Sequence, residues 1–344
     1  MSLLEIQDLR VEFATHGGVV HAVRGVSLAV DPGRTLAIVG ESGCGKSVTF
    51  QAAMGLIPSP PGRITGGSVR LGGRELVGLP ERAASRIRGR EIAMIFQDPM
   101  TSLNPTMKVG RQITETLRLH EGLAGAAARA KAIELMEAVQ IPGAAARVDD
   151  YPFQLSGGMR QRVMIAMAIA CNPAVLVADE PTTALDVTVQ AQILGLLEAL
   201  QRDRGMAIVL ITHDLGVVAR MADEVAVMYA GEIVERGTAD DLFYRPAHPY
   251  MLGLKRSMPQ RDERARSRLE PIEGSPPDLF SPPPGCAYVE RCPWAMAGCV
   301  AHDPPLREVA PGHASRCWLH HEGAASRRPE ALFSGAGWGR ETAP

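Results

Sequence analysis

The chain has 344 residues, enough for one large α/β domain with an appendage or for two modest domains. Its 36 basic residues nearly balance 38 acidic ones, so no overall field draws it to nucleic acid or acidic lipid, and an aromatic content of 4% is too low for a base-stacking platform. The N-terminus, Met-Ser-Leu-Leu-Glu-Ile, lacks a basic segment followed by an apolar core, and no apolar run approaches the roughly 18 residues of a membrane span, so a soluble, cytoplasmic protein is expected.

Leu4 to Val11 and Ala22 to Val30 read as strands, with Thr15-His-Gly-Gly18 as the turn between them. They form a β-rich lead-in to the apolar run Leu36-Ala-Ile-Val39 and to Gly40-Glu-Ser-Gly-Cys-Gly-Lys-Ser47, a complete G-x-x-x-x-G-K-[ST] loop ahead of a helix-compatible stretch. Such glycines let backbone N–H groups converge on the α- and β-phosphates of a nucleoside triphosphate, and the following helix aims the positive end of its dipole at the same oxygens. Lys46 is placed to reach the β- and γ-phosphates and Ser47 to ligate Mg²⁺. With only four lysines in the chain, a chance match is rarer still.

Further on, Gly66 to Leu71 is a short strand followed by Gly72-Gly73, and Glu91 to Phe96 is a buried strand that ends at Gln97. Residues 98–160 change character. Apolar positions recur at helical spacing through Val109 to Leu119 and Ala126 to Val139, which predicts a helical insert. Leu155-Ser-Gly-Gly-Met-Arg-Gln-Arg162 then opens a helix-compatible run, with Ser156 a natural N-cap and Gly157-Gly158 clearing its mouth, a second anion-binding helix start.

The α/β rhythm returns with Val175-Leu-Val-Ala178 and Ala207-Ile-Val-Leu-Ile211, short apolar runs suited to a buried parallel sheet. The first leads into Asp179-Glu180-Pro181, placing two carboxylates where an open α/β sheet binds its ligand. Asp179 is suited to hold Mg²⁺, usually through water, and Glu180 to polarise the water that attacks the γ-phosphate. Gln97 follows a strand from which its amide can touch Mg²⁺ or that water, and His213 follows another from which it can donate to the γ-phosphate. Alone, a Gln or a His at a strand end is more often structural; their weight comes from the set.

Residues 256–285, rich in Arg and then in Pro, read as a solvated connector. Cys44 and Cys171 stand apart, while Cys286, Cys292, Cys299 and Cys317 gather in a proline-rich segment too small to build much of a core. In a reducing compartment such a group suggests a metal before disulfides, although the spacing lacks C-x2-C pairs and does not choose the metal. His302, His313, His320 and His321 lie near enough in sequence to substitute as ligands. From about Gly323 the tail shows no periodicity, which predicts disorder.

The ordered set GESGCGKS, Gln97, LSGGMRQR, LVADEP, Ala184-Leu-Asp186 and His213 resembles the ATP-binding cassette ATPases. That resemblance implies an α/β P-loop NTPase fold, with a RecA-like core behind the β-rich lead-in and a helical insert subdomain. It implies that Gly40, Glu41, Ser42, Gly43, Cys44, Gly45, Lys46, Ser47 and Val48 cradle ATP, that Phe13 stacks on adenine where many members carry Tyr, and that Ser47, Gln97 and Asp179 surround Mg²⁺. Glu180, His213, Gln97 and Lys46 become the catalytic set. Leu155 to Gly158, with Ser156, Gly157 and Gly158, becomes the signature that closes over ATP held by a partner subunit. Asp186 would lie in a loop that crosses the dimer interface, and Gln97 in a hinge that senses membrane subunits.

Longer stretches, Gln97 to Pro105, Glu180 to Gln190 and Val227 to Gly231, look like the ATPase subunits of dipeptide, oligopeptide and nickel importers. The resemblance implies residues 1–255 as the ATPase domain, 256–322 as a metal-binding C-terminal extension and 323–344 as a disordered tail. It further implies a 4Fe-4S cluster on the four cysteines, zinc being the alternative. The partners implied are a second ATPase subunit, the same chain or a related one, two membrane permease subunits and, indirectly, an extracytoplasmic solute-binding protein. Nucleic acid is not among them. The place implied is the cytoplasmic face of the inner membrane, peripherally attached, with peptide uptake as the work driven; nickel or small-solute import and a soluble ATPase uncoupled from transport are the rival readings.

Overall fold

A computed structural model of the chain describes residues 2–183, 185–258 and 271–332. A long hairpin opens it: β1 (Leu4–Thr15) returns as β2 (Gly18–Val30), with Leu4 opposite Val30 and Thr15 opposite Gly18. The arms run past the expected strands because the tip is largely exposed and carries no apolar alternation. Leu4, Ile6, Leu9 and Val11 bury on one side, and a bulge between Ile6 and Leu9, where Asp8 takes a φ of 45°, absorbs the break in alternation.

β3 (Thr35–Val39) leaves this hairpin for the main sheet, whereas β4 (Gly62–Leu71) and β5 (Arg74–Glu75) complete the lead-in sheet in the order β2-β1-β4-β5. The main sheet gathers β3 with β6 (Ile92–Ile95), β7 (Val175–Asp179), β8 (Ala207–Ile211), β9 (Glu224–Tyr229), β10 (Glu232–Thr238), β11 (Arg307–Ala310) and β12 (His313–Ser315). Their order is β11-β12-β10-β9-β3-β8-β7-β6. From β9 to β6 every pairing is parallel, and β3, β7 and β8 are buried along their whole length. A parallel sheet covered on both faces favours continuous apolar runs, which is why Leu36-Ala-Ile-Val39 and Ala207-Ile-Val-Leu-Ile211 were readable within these strands.

Between β6 and β7 the chain is helical, with Pro99–Ser102, Val109–Glu121, Gly125–Ala138 and Ala144–Arg147 preceding the helix Gly157–Ala168. Val109, Ile113 and Leu117 recur every four residues on one face and pack with Ala132, Leu135, Met136, Val163 and Ile165. Each fully buried aliphatic side chain there contributes about 2 kcal/mol.

The segment after residue 271 does not stand apart from the core. β12 pairs antiparallel with β10, Glu235 opposite Ser315, and β11 follows it, so the extension forms one edge of the main sheet. Glu235, fully buried, accepts hydrogen bonds from the backbone of Ala247 (2.7 Å) and His248 (2.8 Å) and faces His313 Nε2 at 2.8 Å. Residues 322–327 and 330–332 coil into short 3-10 turns where the sequence predicts disorder. There Leu332 is buried with Leu252 and Leu319, a single apolar anchor too isolated to leave a periodic signal. Residues 259–270 of the expected connector and 333–344 of the expected tail lie outside the described residues. Among the described residues no helix is long and apolar enough to cross a membrane.

Candidate nucleotide-binding site

The C-terminal ends of β3, β6, β7 and β8 assemble the site. Past Val39 the chain makes the loop Gly40–Gly45 and enters the helix Lys46–Ala53. Its glycines are steric requirements: Gly45 has a φ of 101°, and a Cβ there would lie 2.4 Å from the Ala22 carbonyl oxygen, while one on Gly40 would lie 2.2 Å from that of Met228. Lys46, nearly buried, donates from Nζ to the carbonyls of Gly40 and Glu41, both at 2.8 Å. The ammonium is thus fixed over the loop at the mouth of a helix, a concentration of positive charge suited to a polyanion.

Ser47 Oγ donates to Asp179 Oδ1 at 2.9 Å. Burial pushes the Asp179 carboxyl up, and the Ser47 hydrogen bond partly counters it. A hydroxyl beside a carboxylate is a hard-oxygen pair suited to Mg²⁺.

Glu180 has a φ of 46°, a left-handed backbone that is unusual for a residue with a long side chain, and its N–H donates to the Ile211 carbonyl at 2.8 Å. Three side chains surround its carboxylate. Gln97 Nε2 donates to Oε2 at 2.8 Å, Thr183 Oγ1 donates to the same oxygen at 2.9 Å, and His213 Nδ1 lies 3.1 Å from Oε1. The strand register explains the meeting: Ile95 lies opposite Ala178 and Asp179 opposite Ile211, so residues just beyond β6, β7 and β8 become neighbours.

The structure therefore brings Lys46, Ser47, Gln97, Asp179, Glu180 and His213 to one end of the sheet. Ser156, Gly157 and Gly158 form a different feature. Ser156 Oγ accepts from Met159 N at 3.4 Å, Ser156 and Gly157 are exposed, and nothing lies within 4 Å of a Cβ placed on Gly157. This is an open helix mouth that faces outward. Phe13 is half-buried in the core of the lead-in sheet, its ring so close to Gly62 that a Cβ there would meet it at 2.9 Å. Within the loop, Ser42 and Gly43 are exposed, Cys44 is buried with its thiol pushed up by that burial, and Val48 packs on the lead-in core. Asp186 caps the helix Val187–Arg204, accepting from Val189 N at 2.9 Å, and leaves Val187 82% exposed.

Sequence reasoning missed Thr183, Tyr250 and Arg291. Tyr250 Oη accepts from Glu41 N at 2.9 Å, and Arg291 pairs with the Glu41 carboxylate. Thr183 was visible in the Glu-Pro-Thr-Thr stretch, but the other two lie 209 and 250 residues from their partner and leave no local signal.

The expected metal site on the cysteines is corrected in one respect. Among the described residues no group of three or more His, Cys, Asp or Glu side chains has metal-holding geometry. Cys286, Cys292, Cys299 and Cys317 sit on separate local elements, and Cys286, Cys292 and Cys317 pack against apolar neighbours. They are nonetheless mutual neighbours. Cys286 N donates to the Cys299 carbonyl at 2.8 Å, and the Cys286 thiol is pushed up to about 12, by burial first, with Cys299 and Cys292 among the smaller contributions. Cys317 is raised by burial and by all of the other three. Two of the candidate histidine substitutes are engaged elsewhere, His313 with Glu235 and His320 with the Ala247 carbonyl at 2.7 Å.

A phosphate loop at the end of a central parallel strand, with a carboxylate pair at the end of another, defines a P-loop nucleoside triphosphatase. The ABC transporter family matches residues 23–183, and the oligopeptide/dipeptide transporter C-terminal region matches residues 234–299. Over 327 residues the chain is 55% identical to the oligopeptide transport ATP-binding protein OppD of Bacillus subtilis, covering 95% of this chain and 91% of that one. To the dipeptide transport ATP-binding protein DppD of the same organism it is 50% identical over 333 residues, covering 97% and 98%. Among solved structures, the post-hydrolysis dimer of the ATP-binding cassette MJ0796, bound to ADP and Pi, is similar with a TM-score of 0.62 and 26% identity, covering 69% of this chain and 98% of that one. The chain belongs to the ATP-binding proteins of the oligopeptide and dipeptide ABC transporters.

Proposed function

We propose that the protein is the ATP-hydrolysing subunit of an ABC importer and that it energises peptide uptake through partner membrane subunits. The observation that carries this reading is the grip on Glu180, whose carboxylate is bounded by Gln97, Thr183 and His213 at the end of the strand next to the Ser47–Asp179 pair. Gly40 to Val48 would receive the phosphates, Lys46 would neutralise the β- and γ-phosphates, and Ser47, Asp179 and Gln97 would hold Mg²⁺. Glu180 accepts a proton from the attacking water, and His213 both orients Glu180 and faces the γ-phosphate. Phe13, half-buried in the lead-in sheet beside Gly62, would stack on adenine.

A second ATPase subunit completes each site. What supports this is the outward-facing mouth at Ser156, Gly157 and Gly158, with open space beside Gly157, and the exposed Val187 beside Asp186. Two permease subunits and an extracytoplasmic binding protein would supply the path and the peptide, with this subunit attached peripherally at the cytoplasmic face of the membrane. Reconstitution tests the coupling: ATPase activity should rise several-fold when the subunit is combined with its permeases and a peptide-loaded binding protein. Activity indifferent to them would contradict a transport role.

The four cysteines are the donors we assign to a metal group of the extension, a 4Fe-4S cluster or zinc. Support comes from the donor set, which is all thiol and therefore suits both, and from the backbone contact that brings Cys286 beside Cys299. Such a group would supply a structural crosslink to a segment with little core of its own. Iron, sulfide and zinc content of the anaerobically purified chain, together with its visible spectrum, tests the assignment.

A further inference from the structure

The C-terminal extension reaches into the phosphate loop. Arg291 ends the 3-10 turn Val289–Arg291, and its side chain is only 5% exposed. Nη1 donates to Glu41 Oε2 at 2.8 Å and Nη2 to Oε1 at 3.0 Å, a two-pronged ion pair across the fold. The rest of the guanidinium is fixed from its own side, Nε by the Glu273 carbonyl at 3.0 Å and Nη2 by that of Ile272 at 3.3 Å, while Nη1 also reaches the Tyr229 hydroxyl at 3.3 Å. The cation lies 5.8 Å from the ring centre of Tyr229 and 6.0 Å from that of Tyr288.

Glu41 is the first variable residue of the loop, and every polar group it has is engaged. Its carbonyl helps hold the Lys46 ammonium, its N–H donates to Tyr250, and its carboxylate takes Arg291. A free carboxylate here would oppose the arrival of a polyanion and compete for Lys46. Arg291 is the cation that cancels it, and it comes from a segment far outside the loop. The same segment also touches the lead-in hairpin, where the Leu279 carbonyl accepts from His21 N at 2.9 Å along β2 and the Phe280 ring lies 3.5 Å from a Cβ placed on Gly18.

We propose that Arg291 is a positioning residue of the nucleotide site, through which the C-terminal extension neutralises Glu41 and sets the phosphate loop to receive a triphosphate. The inference rests on the reading of Gly40 to Ser47 as the loop that takes the phosphates. Its signature is an asymmetry of sign: Arg291→Gln strands an anion beside the phosphates, whereas Glu41→Gln strands a cation.

The test is Mg-ATP affinity, with KM and kcat, measured on the full chain and its variants, with circular dichroism and a melting curve for each. Arg291→Gln should weaken Mg-ATP binding and raise KM about tenfold or more, with kcat changed by no more than about twofold. Glu41→Gln removes the anion but alters a residue of the binding loop, so it should weaken Mg-ATP binding at least about threefold less than Arg291→Gln does, and adding it to Arg291→Gln should recover most of the lost affinity. An unchanged affinity in Arg291→Gln, equal weakening by both single variants, or no relief in the double variant would each overturn the proposal. If Arg291→Gln does not fold, Arg291→Lys decides in its place, because it keeps the cation beside Glu41: its Mg-ATP affinity should stay within about threefold of the unmodified chain, and a loss of about tenfold would overturn the proposal. Lys46→Ala separates the two readings: it should abolish binding, and retained affinity would remove the loop assignment itself.

Discussion

Gln97 and Glu180, 83 residues apart in sequence, meet at 2.8 Å, amide nitrogen to carboxylate oxygen. The contact is a product of parallel strands, because β6 and β7 stand in register and end together. It fixes the direction of the Glu180 carboxylate from the side of the helical insert, so any movement of that insert is felt at the proposed base. Gln97→Ala should lower kcat about tenfold while leaving Mg-free ATP affinity within about twofold, since it removes orientation and not the base itself. Steady-state kinetics beside nucleotide titration would check this, and an unchanged kcat would deny Gln97 a part in the chemistry.

The loop tolerates no side chain at its base. Gly45→Ala combines a φ of 101° with a Cβ 2.4 Å from the Ala22 carbonyl oxygen, a clash with backbone that no rotamer relieves. The substitution should cost about 3 kcal/mol of stability and abolish ATP binding, read by denaturant unfolding and nucleotide titration.

The motifs with chemistry were legible because they are local. Spacing within Gly40 to Ser47, and a carboxylate pair after a four-residue apolar run, point to a phosphate site without any tertiary information. The strands β3, β7 and β8 were legible for the same reason, being uninterrupted apolar runs. What the sequence hides is the wiring between distant segments: the Glu41–Arg291 pair, the Tyr250 hydroxyl under Glu41, and the use of β12, a strand of 3 residues, to extend the main sheet. A strand that short has no readable period, and one arginine among many gives no sign of its partner.

Acid should loosen the joint between core and extension. His248 is buried, its Nδ1 accepting from Tyr250 N at 3.1 Å, and burial first, then the neighbouring His320, brings its pKa down to about 3 from the ordinary 6.5. A depressed histidine contributes stability that is complete above its unfolded pKa and is lost as pH falls below about 6.5, at about 1.4 kcal/mol per pH unit. Buried Asp179, Glu232 and Glu235, whose pKa values burial raises, act in the opposite direction. The comparison is therefore with His248→Asn, whose amide oxygen can still accept from Tyr250 N. Between about pH 7.5 and pH 5.5 the unmodified chain should lose about 1.4 kcal/mol more than the variant in urea unfolding, and parallel slopes would contradict this.

Leu332 should matter although it lies near the C-terminus. It is fully buried with Leu252 and Leu319, so Leu332→Ala should destabilise the chain by about 2–4 kcal/mol, measured as a shift in the denaturant midpoint. A neutral outcome would mean that the turns after residue 322 contribute no packing.

Glu180 is proposed as the base of an ATPase whose nucleotide-binding groups are separate from it. Nucleotide affinity and turnover of Glu180→Gln, measured on one preparation beside the unmodified chain, test it most directly. Glu180→Gln should bind ATP with the original affinity and hydrolyse it about a hundredfold or more slowly, because the amide keeps the shape of the carboxylate and cannot take the proton. Hydrolysis at the original rate would contradict it.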